Sequence, residues 1–373
     1  MKLIYQMQYN LYFCGRKKIK SEMDFIDSDK THQLYALLSD SVRPVIATHM
    51  RPDGDAIGSC IGMYHLLKSY GKEVKVALVN PAPANLDFLL PAEICEDILI
   101  HETDRSLTEE IIAKSDLLIC LDFNAFHRTD TLETVLTEAK AKKVLIDHHL
   151  APDTECFDLV FSKQDISSAS ELLYHIIMAL PTVAHDARRI PAEAATALMT
   201  GMTTDTNNFA NSVYPSTFAM ASELISAGTD RDMIISQIYN RFKESRIRLQ
   251  GHMLQDLMQT TDCGVAFMVL DRQTMFKYNV EEGDTEGFVN IPLTIDNIRM
   301  SVFAKEDNGF VRISIRSKKG TSANSCAKMY FHGGGHENAA GGRLYIPDDI
   351  ADISKAGEYI RKVTQDFMNS ENE

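Results

Sequence analysis

Apolar runs of strand length alternate with segments of helical spacing through the first two-thirds of the chain. Residues 44–47 (Pro-Val-Ile-Ala) read as a buried strand, and 56–67 place apolar residues at the spacing of a helix. Residues 73–79, 97–100, 116–121 and 143–146 read as further strands. Alternation of this kind predicts an α/β domain with a parallel, doubly wound sheet. After Ser168 the pattern becomes helical over 170–180, 191–202, 216–227 and 230–257. The first of these opens on Ser-Ala-Ser-Glu and the second near Pro191, both ordinary helix starts. Near residues 261–264 the texture changes again. Residues 265–270, 298–304 and 310–315 show the alternation of strands, 321–330 reads as a helix, and Gly333, Gly334 and Gly335 as a loop. This predicts a smaller α+β domain over 263–373, joined by a linker helix (236–262) to a domain over 23–235.

Polar residues collect where the apolar runs stop. His49, Asp53 and Asp55 follow the first strand, with Gly54 letting the backbone turn between the two acids. Ligands of open α/β sheets bind at this end of the strands. One imidazole and two carboxylates repel or strand charge unless a cation binds, and such ligands suit a Mg/Mn-type or Zn-type ion. The competing reading, a helix cap beside an incidental histidine, uses one residue of the three. Asp122 ends the strand at 116–121, and Asp147-His148-His149 ends the one at 143–146. Asp205 lies in Gly-Met-Thr-Thr-Asp-Thr. Asp122 and Asp205 each read alone as a cap or turn. Together, His49, Asp53, Asp55, Asp122, His148 and Asp205 are too many ligands for one ion and enough for two.

Composition narrows the class. With 373 residues, 45% hydrophobic and 24% charged, the chain is long enough for two buried cores. The net charge of −14 argues against coating long nucleic acid, while leaving room for a small anion in a local positive pocket. Seven scattered cysteines without paired metal spacing point to a reducing cytoplasm. No run approaches the roughly 18 apolar residues of a membrane span, so no membrane partner is expected. Residues 1–22 lack the order of a secretory signal and read as a loose extension, with Met23 an equally good start.

The series His49-x-x-Pro-Asp53-Gly-Asp55-Ala-Ile-Gly-Ser, Asp122, Asp147-His148-His149 and Gly-Met-Thr-Thr-Asp205-Thr resembles the four motifs of the DHH phosphoesterases. Phe331-His332-Gly333-Gly334-Gly335-His336-Glu337-Asn338-Ala339-Ala340-Gly341 resembles the signature of the associated DHHA1 domain. The resemblance runs from about Met23 to the carboxyl terminus and is nearest the nano-RNA exonuclease (oligoribonuclease) and pAp phosphatase branch. It implies two divalent ions, Mn foremost and Mg as the alternative. His49, Asp53 and Asp122 would hold one; Asp55, Asp122, His148 and Asp205 would hold the other, with Asp122 bridging. Asp147 would orient its neighbours and His149 would face the phosphate. In the smaller domain Arg316, Asn324, Gly333–Gly335 and His336 would grip substrate, with the active site in the cleft between the domains. The implied substrates are short single-stranded RNA or DNA oligonucleotides or a mononucleotide bisphosphate. Polyphosphate or pyrophosphate hydrolysis, cyclic-dinucleotide hydrolysis and a nucleotide-binding regulator are the alternatives, and a homodimer is left open. His332 stands where the family usually has a further glycine, and Asn207 where glycine is common.

Overall fold

The computed structural model describes residues 26–370, so the extension expected over 1–22 lies outside the described residues. The chain divides between Ile238 and Tyr239 into two compact units.

In the first unit, β1 (Pro44–Ala47), β2 (Lys75–Leu78), β3 (Ile98–Ile100), β4 (Leu117–Leu121), β5 (Lys142–Asp147) and β6 (Leu159–Ser162) form one parallel sheet in the order β3-β2-β1-β4-β5-β6. β1 and β4 are buried along their whole length, as strands covered on both faces must be. The strand order reverses between them, and the crevice at their carboxyl ends is where open sheets receive ligands. Asp116 fixes the start of β1: its carboxylate accepts from Ser41 Oγ (2.5 Å), Val42 N (2.7 Å) and Arg43 N (3.1 Å). β6 is absent from the sequence reading because its four residues follow a short helical turn and end the sheet.

Helices α1 (Gly54–Ser69), α2 (Ala169–Ala179), α3 (Ala192–Asp205) and α4 (Pro215–Ser226) stand beside this sheet. Glycine lets α1 and α3 approach closely. A Cβ at Gly58 would lie 2.6 Å from the Ala197 carbonyl, and one at Gly201 would lie 2.0 Å from Ser170 Oγ. The packing brings the first turn of α1, the first turn of α2 and the end of α3 together.

The single helix expected over 230–257 is in pieces: α5 (Arg231–Tyr239), an irregular stretch over 240–243, α6 (Glu244–His252) and a wide π turn over Met253–Leu257. Leaving the helix at 240–243 lets Phe242 lie 3.6 Å beneath the Arg246 guanidinium, which also donates to the Glu286 carbonyl at 2.9 Å. That contact of a half-exposed ring with a buried cation competes with helical continuity, and sequence spacing does not report it.

In the second unit, β7 (Gln259–Thr260), β8 (Val265–Leu270), β9 (Met300–Glu306), β10 (Phe310–Ser317), β11 (Gly334–His336) and β12 (Ala339–Tyr345) lie in the order β11-β12-β10-β9-β8-β7. β8 and β9 are parallel and the other pairs antiparallel. Its core joins Phe267, Ile313 and Phe331 to Ile360, Val363 and Phe367 of α8, with α7 (Ala323–Tyr330) and α8 (Ala356–Ser370) as its helical cover. The glycine stretch expected to be a loop is instead the entry and first strand of a hairpin, with Gly334 opposite Gly341 and His336 opposite Ala339. A Cβ at Gly333 would lie 1.9 Å from the Gly341 carbonyl, so glycine there permits a close crossing of chains. No helix of the described residues is long and apolar enough to cross a membrane.

Candidate metal centre at the strand ends

The first strand delivers His49 and then Asp53, whose Oδ1 caps α1 by accepting from Asp55 N (3.0 Å) and Ala56 N (3.1 Å). The capping role leaves Asp53 available as a candidate ligand, since it also offers an oxygen within 4.8 Å of ligand atoms of His49 and Asp122. His49 Nδ1 lies 2.9 Å from the Met50 carbonyl, and donation there leaves the neutral ring's lone pair on Nε2, the atom facing Asp122.

Asp122 sits just past β4 in the left-handed region (φ 61°), a conformation that Asp tolerates better than most residues. Its two oxygens serve two clusters. Oδ2 lies 3.5 Å from His49 Nε2, and Oδ1 lies 3.5 Å from His148 Nε2. His148 Nε2 is also 3.9 Å from Asp55 Oδ2 and 3.6 Å from Asp205 Oδ2. Asp55, His148 and Asp205 thus form a second group with ligand atoms within 4.8 Å of one another. His149 belongs beside them, with Nδ1 at 2.7 Å from Asp147 Oδ1 and its backbone N donating to Asp147 Oδ2 at 3.1 Å. Asp147 is wholly buried and so sets the tautomer and tilt of the His149 ring.

The electrostatics of the cluster call for positive charge. Burial raises the Asp55 carboxyl well above its usual range, and the nearby Asp122 and Asp205 charges raise it further. Burial pushes Asp122 in the same direction, but His148 and His49 outweigh it and hold this carboxyl well below the usual range. For His148, burial is overcome by Asp122, Asp205 and Asp55, and its pKa rises to about 10. His49 is raised too, since Asp122 and Asp53 more than offset its burial. Protonation is thus favoured at Asp55, His49 and His148, and a bound cation would supply the same positive charge.

Whether these residues fit a metal is decided by Asp122 Oδ1. It is buried and makes no hydrogen bond, with imidazole nitrogens at 3.5 and 3.7 Å. Leaving a carboxylate oxygen so is costly unless a cation touches it. The donors are carboxylate and imidazole without thiolate, the set that suits Mn or Mg and, with imidazole, Zn. The groups His49–Asp53–Asp122 and Asp55–His148–Asp205 are therefore able to hold metal ions.

In the second unit the remaining candidates share one end of the sheet. Arg316 on β10 is opposite Ala339 on β12, and Ala339 is opposite His336 on β11. Residues directly opposite in a ladder share a face, so Arg316 and His336 flank the small Ala339 side chain. Asn324 lies in the first turn of α7, and its Oδ1 accepts from Gly335 N at 3.0 Å. Gly333 N donates to the Ala327 carbonyl at 3.2 Å. Two of the three glycine amides expected to approach phosphate are thus engaged within the unit.

Residues 43–202 match the DHH family, N-terminal domain, and residues 263–361 match the DHHA1 domain. A crystal structure of an exopolyphosphatase-related protein from Bacteroides fragilis is 34% identical, covers 94% of this chain and 99% of its own, and superposes with a TM-score of 0.85. This chain belongs to the DHH family. A probable bifunctional oligoribonuclease and PAP phosphatase NrnA of Streptococcus mutans is 27% identical over 83% of this chain and 92% of its own length. The bifunctional oligoribonuclease and PAP phosphatase NrnA of Bacillus subtilis is 26% identical over 82% of this chain and 90% of its own.

Sequence reasoning missed the support behind the candidate ligands. Asp55 Oδ2 accepts from Ala169 N (2.6 Å) and Oδ1 from Ser170 N (2.9 Å), so the amino terminus of α2 grips a predicted ligand. Ser168 caps that helix through Glu171 N at 3.0 Å. The buried Glu171 carboxylate in turn accepts from Ser167 N (3.1 Å) and Thr217 Oγ1 (2.7 Å). The Ser-Ala-Ser-Glu opening is visible in the sequence as a helix start. Its use as a clamp on Asp55 depends on pairing across 114 positions.

Proposed function

We propose that this DHH-family protein is a divalent-metal phosphoesterase that hydrolyses short single-stranded oligonucleotides, down to dinucleotides, and 3′-phosphoadenosine 5′-phosphate. The observation that carries the reading is Asp122, one carboxylate whose Oδ2 faces His49 and whose buried Oδ1, without a hydrogen bond, faces His148. The relatives named as oligoribonucleases and PAP phosphatases, aligned over more than four-fifths of this chain, support the substrate class.

When bound, a pair of divalent ions supplies Lewis-acid charge and a nucleophile from water near neutral pH. His49, Asp53 and Asp122 would hold one ion, and Asp55, Asp122, His148 and Asp205 the other, with Mn the preferred metal and Mg the alternative. His149, its ring orientation fixed by Asp147, faces the phosphate. Arg316 forks onto the terminal phosphate, and His336 across Ala339 adds a second donor. Recognition of the substrate's terminal phosphate is thereby the task of the DHHA1 unit. The free thiols among the described residues fit a cytoplasmic enzyme.

A second reading, polyphosphate or pyrophosphate hydrolysis, is favoured by the exopolyphosphatase-related designation of the Bacteroides fragilis protein. The same metal ligands would serve it. Metal-stripped protein should be inert and should regain activity on Mn addition, with turnover of a dinucleotide and pAp well above that of a cyclic dinucleotide or polyphosphate. Turnover of polyphosphate alone would replace the nucleotide reading with the second one. Full activity in excess chelator, with metal absence confirmed by elemental analysis, would end both.

A further inference from the structure

We infer that Phe209 and Phe218 form a stacking platform for a nucleobase of the substrate, next to the Asp205 end of the metal centre. The inference rests on the nucleotide reading above and names the group that enforces it.

The two rings are stacked, with centroids 5.3 Å apart and planes 9° from parallel. Phe218 is 57% exposed although it lies on α4, whose Thr217, Met220, Ala221 and Leu224 are buried. Burying a phenyl ring is strongly favourable, so the exposed Phe218, lying parallel to the half-buried Phe209, leaves a face open to a further ring. The Arg231 guanidinium lies 5.9 Å from the Phe209 centroid, and its Nη2 donates to Asn208 Oδ1 at 2.6 Å. Phe209 is thereby backed by a cation and by Phe218, while Phe218 keeps much of its surface in solvent.

Both rings hang on residues that adjoin the metal ligands. Phe209 is four positions past Asp205, on a turn folded back against α3 by Asn208 N to the Thr203 carbonyl (2.8 Å) and Ala210 N to the Thr206 carbonyl (2.9 Å). Four residues span at most about 14 Å even when fully extended. Phe218 follows Thr217, whose hydroxyl is bonded to Glu171 in the first turn of α2, the turn that grips Asp55. The turn carries strain as well. Asn207, Asn208 and Phe209 have φ of 47°, 55° and 67°, three consecutive non-glycine residues in the left-handed region. An aromatic residue there is strained and persists where the surroundings hold it in place.

A flat apolar face backed by a guanidinium suits a heteroaromatic base. Every base has such a face, so the platform accepts short oligonucleotides with little sequence preference. A polyphosphate chain has no ring to offer and gains nothing from it.

The test uses Phe218→Ala and Phe218→Trp in the full-length, metal-loaded protein. Wild type and variants are given a dinucleotide and two abasic analogues, lacking the 5′ or the 3′ base. Stacking on an aromatic side chain is worth about 1–3 kcal/mol per base, so Phe218→Ala should cut the kcat/KM ratio of dinucleotide to one analogue about tenfold. Phe218→Trp should preserve that ratio. A dinucleotide carrying 2-aminopurine should lose fluorescence on first binding to wild type and lose much less with Phe218→Ala. An unchanged ratio, or a probe equally unquenched by wild type and variant, overturns the platform. Equal losses on dinucleotide and abasic substrates with a changed sedimentation coefficient would show instead that the rings meet a second copy of the chain. Wild type inert on both dinucleotide and pAp refutes the nucleotide reading itself, and the quench still decides the platform.

Discussion

Asp122 joins two demands that seldom coincide at one residue: a left-handed backbone and a carboxylate shared between two clusters. Replacing it with Ala should lower affinity for both ions by more than about 100-fold, beyond the 10–100-fold typical of residues that only support a ligand. Calorimetric titration with Mn and elemental analysis check this, with exposed Glu281→Ala as the control expected to bind normally. Two tightly bound ions in the Asp122→Ala protein would remove the sharing. Asn207 and His332, which stand where glycine was expected, both keep a positive φ, at 47° each. His332 is held there with Nε2 3.0 Å from Asp349 Oδ1. Departing from glycine therefore changed the side chain and kept the turn. Asn207→Gly should leave stability nearly unchanged, while Asn207→Val should lose about 1–2 kcal/mol because β-branched residues resist this region. Thermal melts of the two variants decide the point.

The first turn of α2 and the start of β1 are elements whose work lies in what they hold. Glu171 braces Ser167 and Thr217 behind the amides that grip Asp55. Glu171→Gln should weaken the Asp55–His148–Asp205 ion by about 10–100-fold and leave the His49–Asp53 ion near its wild-type affinity. A two-step Mn titration separates this from general loosening, which would weaken both. Asp116 acts on register. Burial would raise its carboxyl, but Ser41 Oγ and the Val42 and Arg43 amides outweigh that and lower it below the usual 3.8. Because the folded value is depressed, its stabilisation is present in full above the unfolded pKa and disappears as pH falls through the folded one. Asp116→Ala should therefore cost about 1–3 kcal/mol at pH 7, and its deficit should shrink in melts taken near pH 3. Strands β1, β2, β4 and β5 were legible because continuous apolar runs between polar ends have few other uses. Less legible were the four-residue β6, the break over 240–243 and the hairpin at 334–336, since each depends on a partner far away in sequence.

Across the whole molecule, every expected metal ligand falls in the first unit, and Arg316, Asn324 and His336 fall in the second. Arg316→Lys should keep both ions and lose most turnover on pAp or a dinucleotide, because Lys retains charge without the two-pronged geometry. It should lose much less on a small artificial phosphodiester, and lost metal would instead assign Arg316 to support of the ion site. The motif residues of the candidate metal centre were visible as sequence because acids and imidazoles at strand ends are conspicuous. The glycines that bring α1 against α3 and the amides that hold Asp55 were hidden, since packing partners leave no local pattern. The order β3-β2-β1-β4-β5-β6 carries a consequence for synthesis. β1 is the third strand across the sheet but the first made, and the strand that closes its other edge, β4, begins seventy residues after β1 ends. At about 5–20 residues per second, a ribosome leaves that edge open for roughly 4–14 s. A nascent chain halted before Leu117 displays the all-apolar strand β1 with an unpaired edge, open to wrong partners at the place where the candidate metal ligands come together.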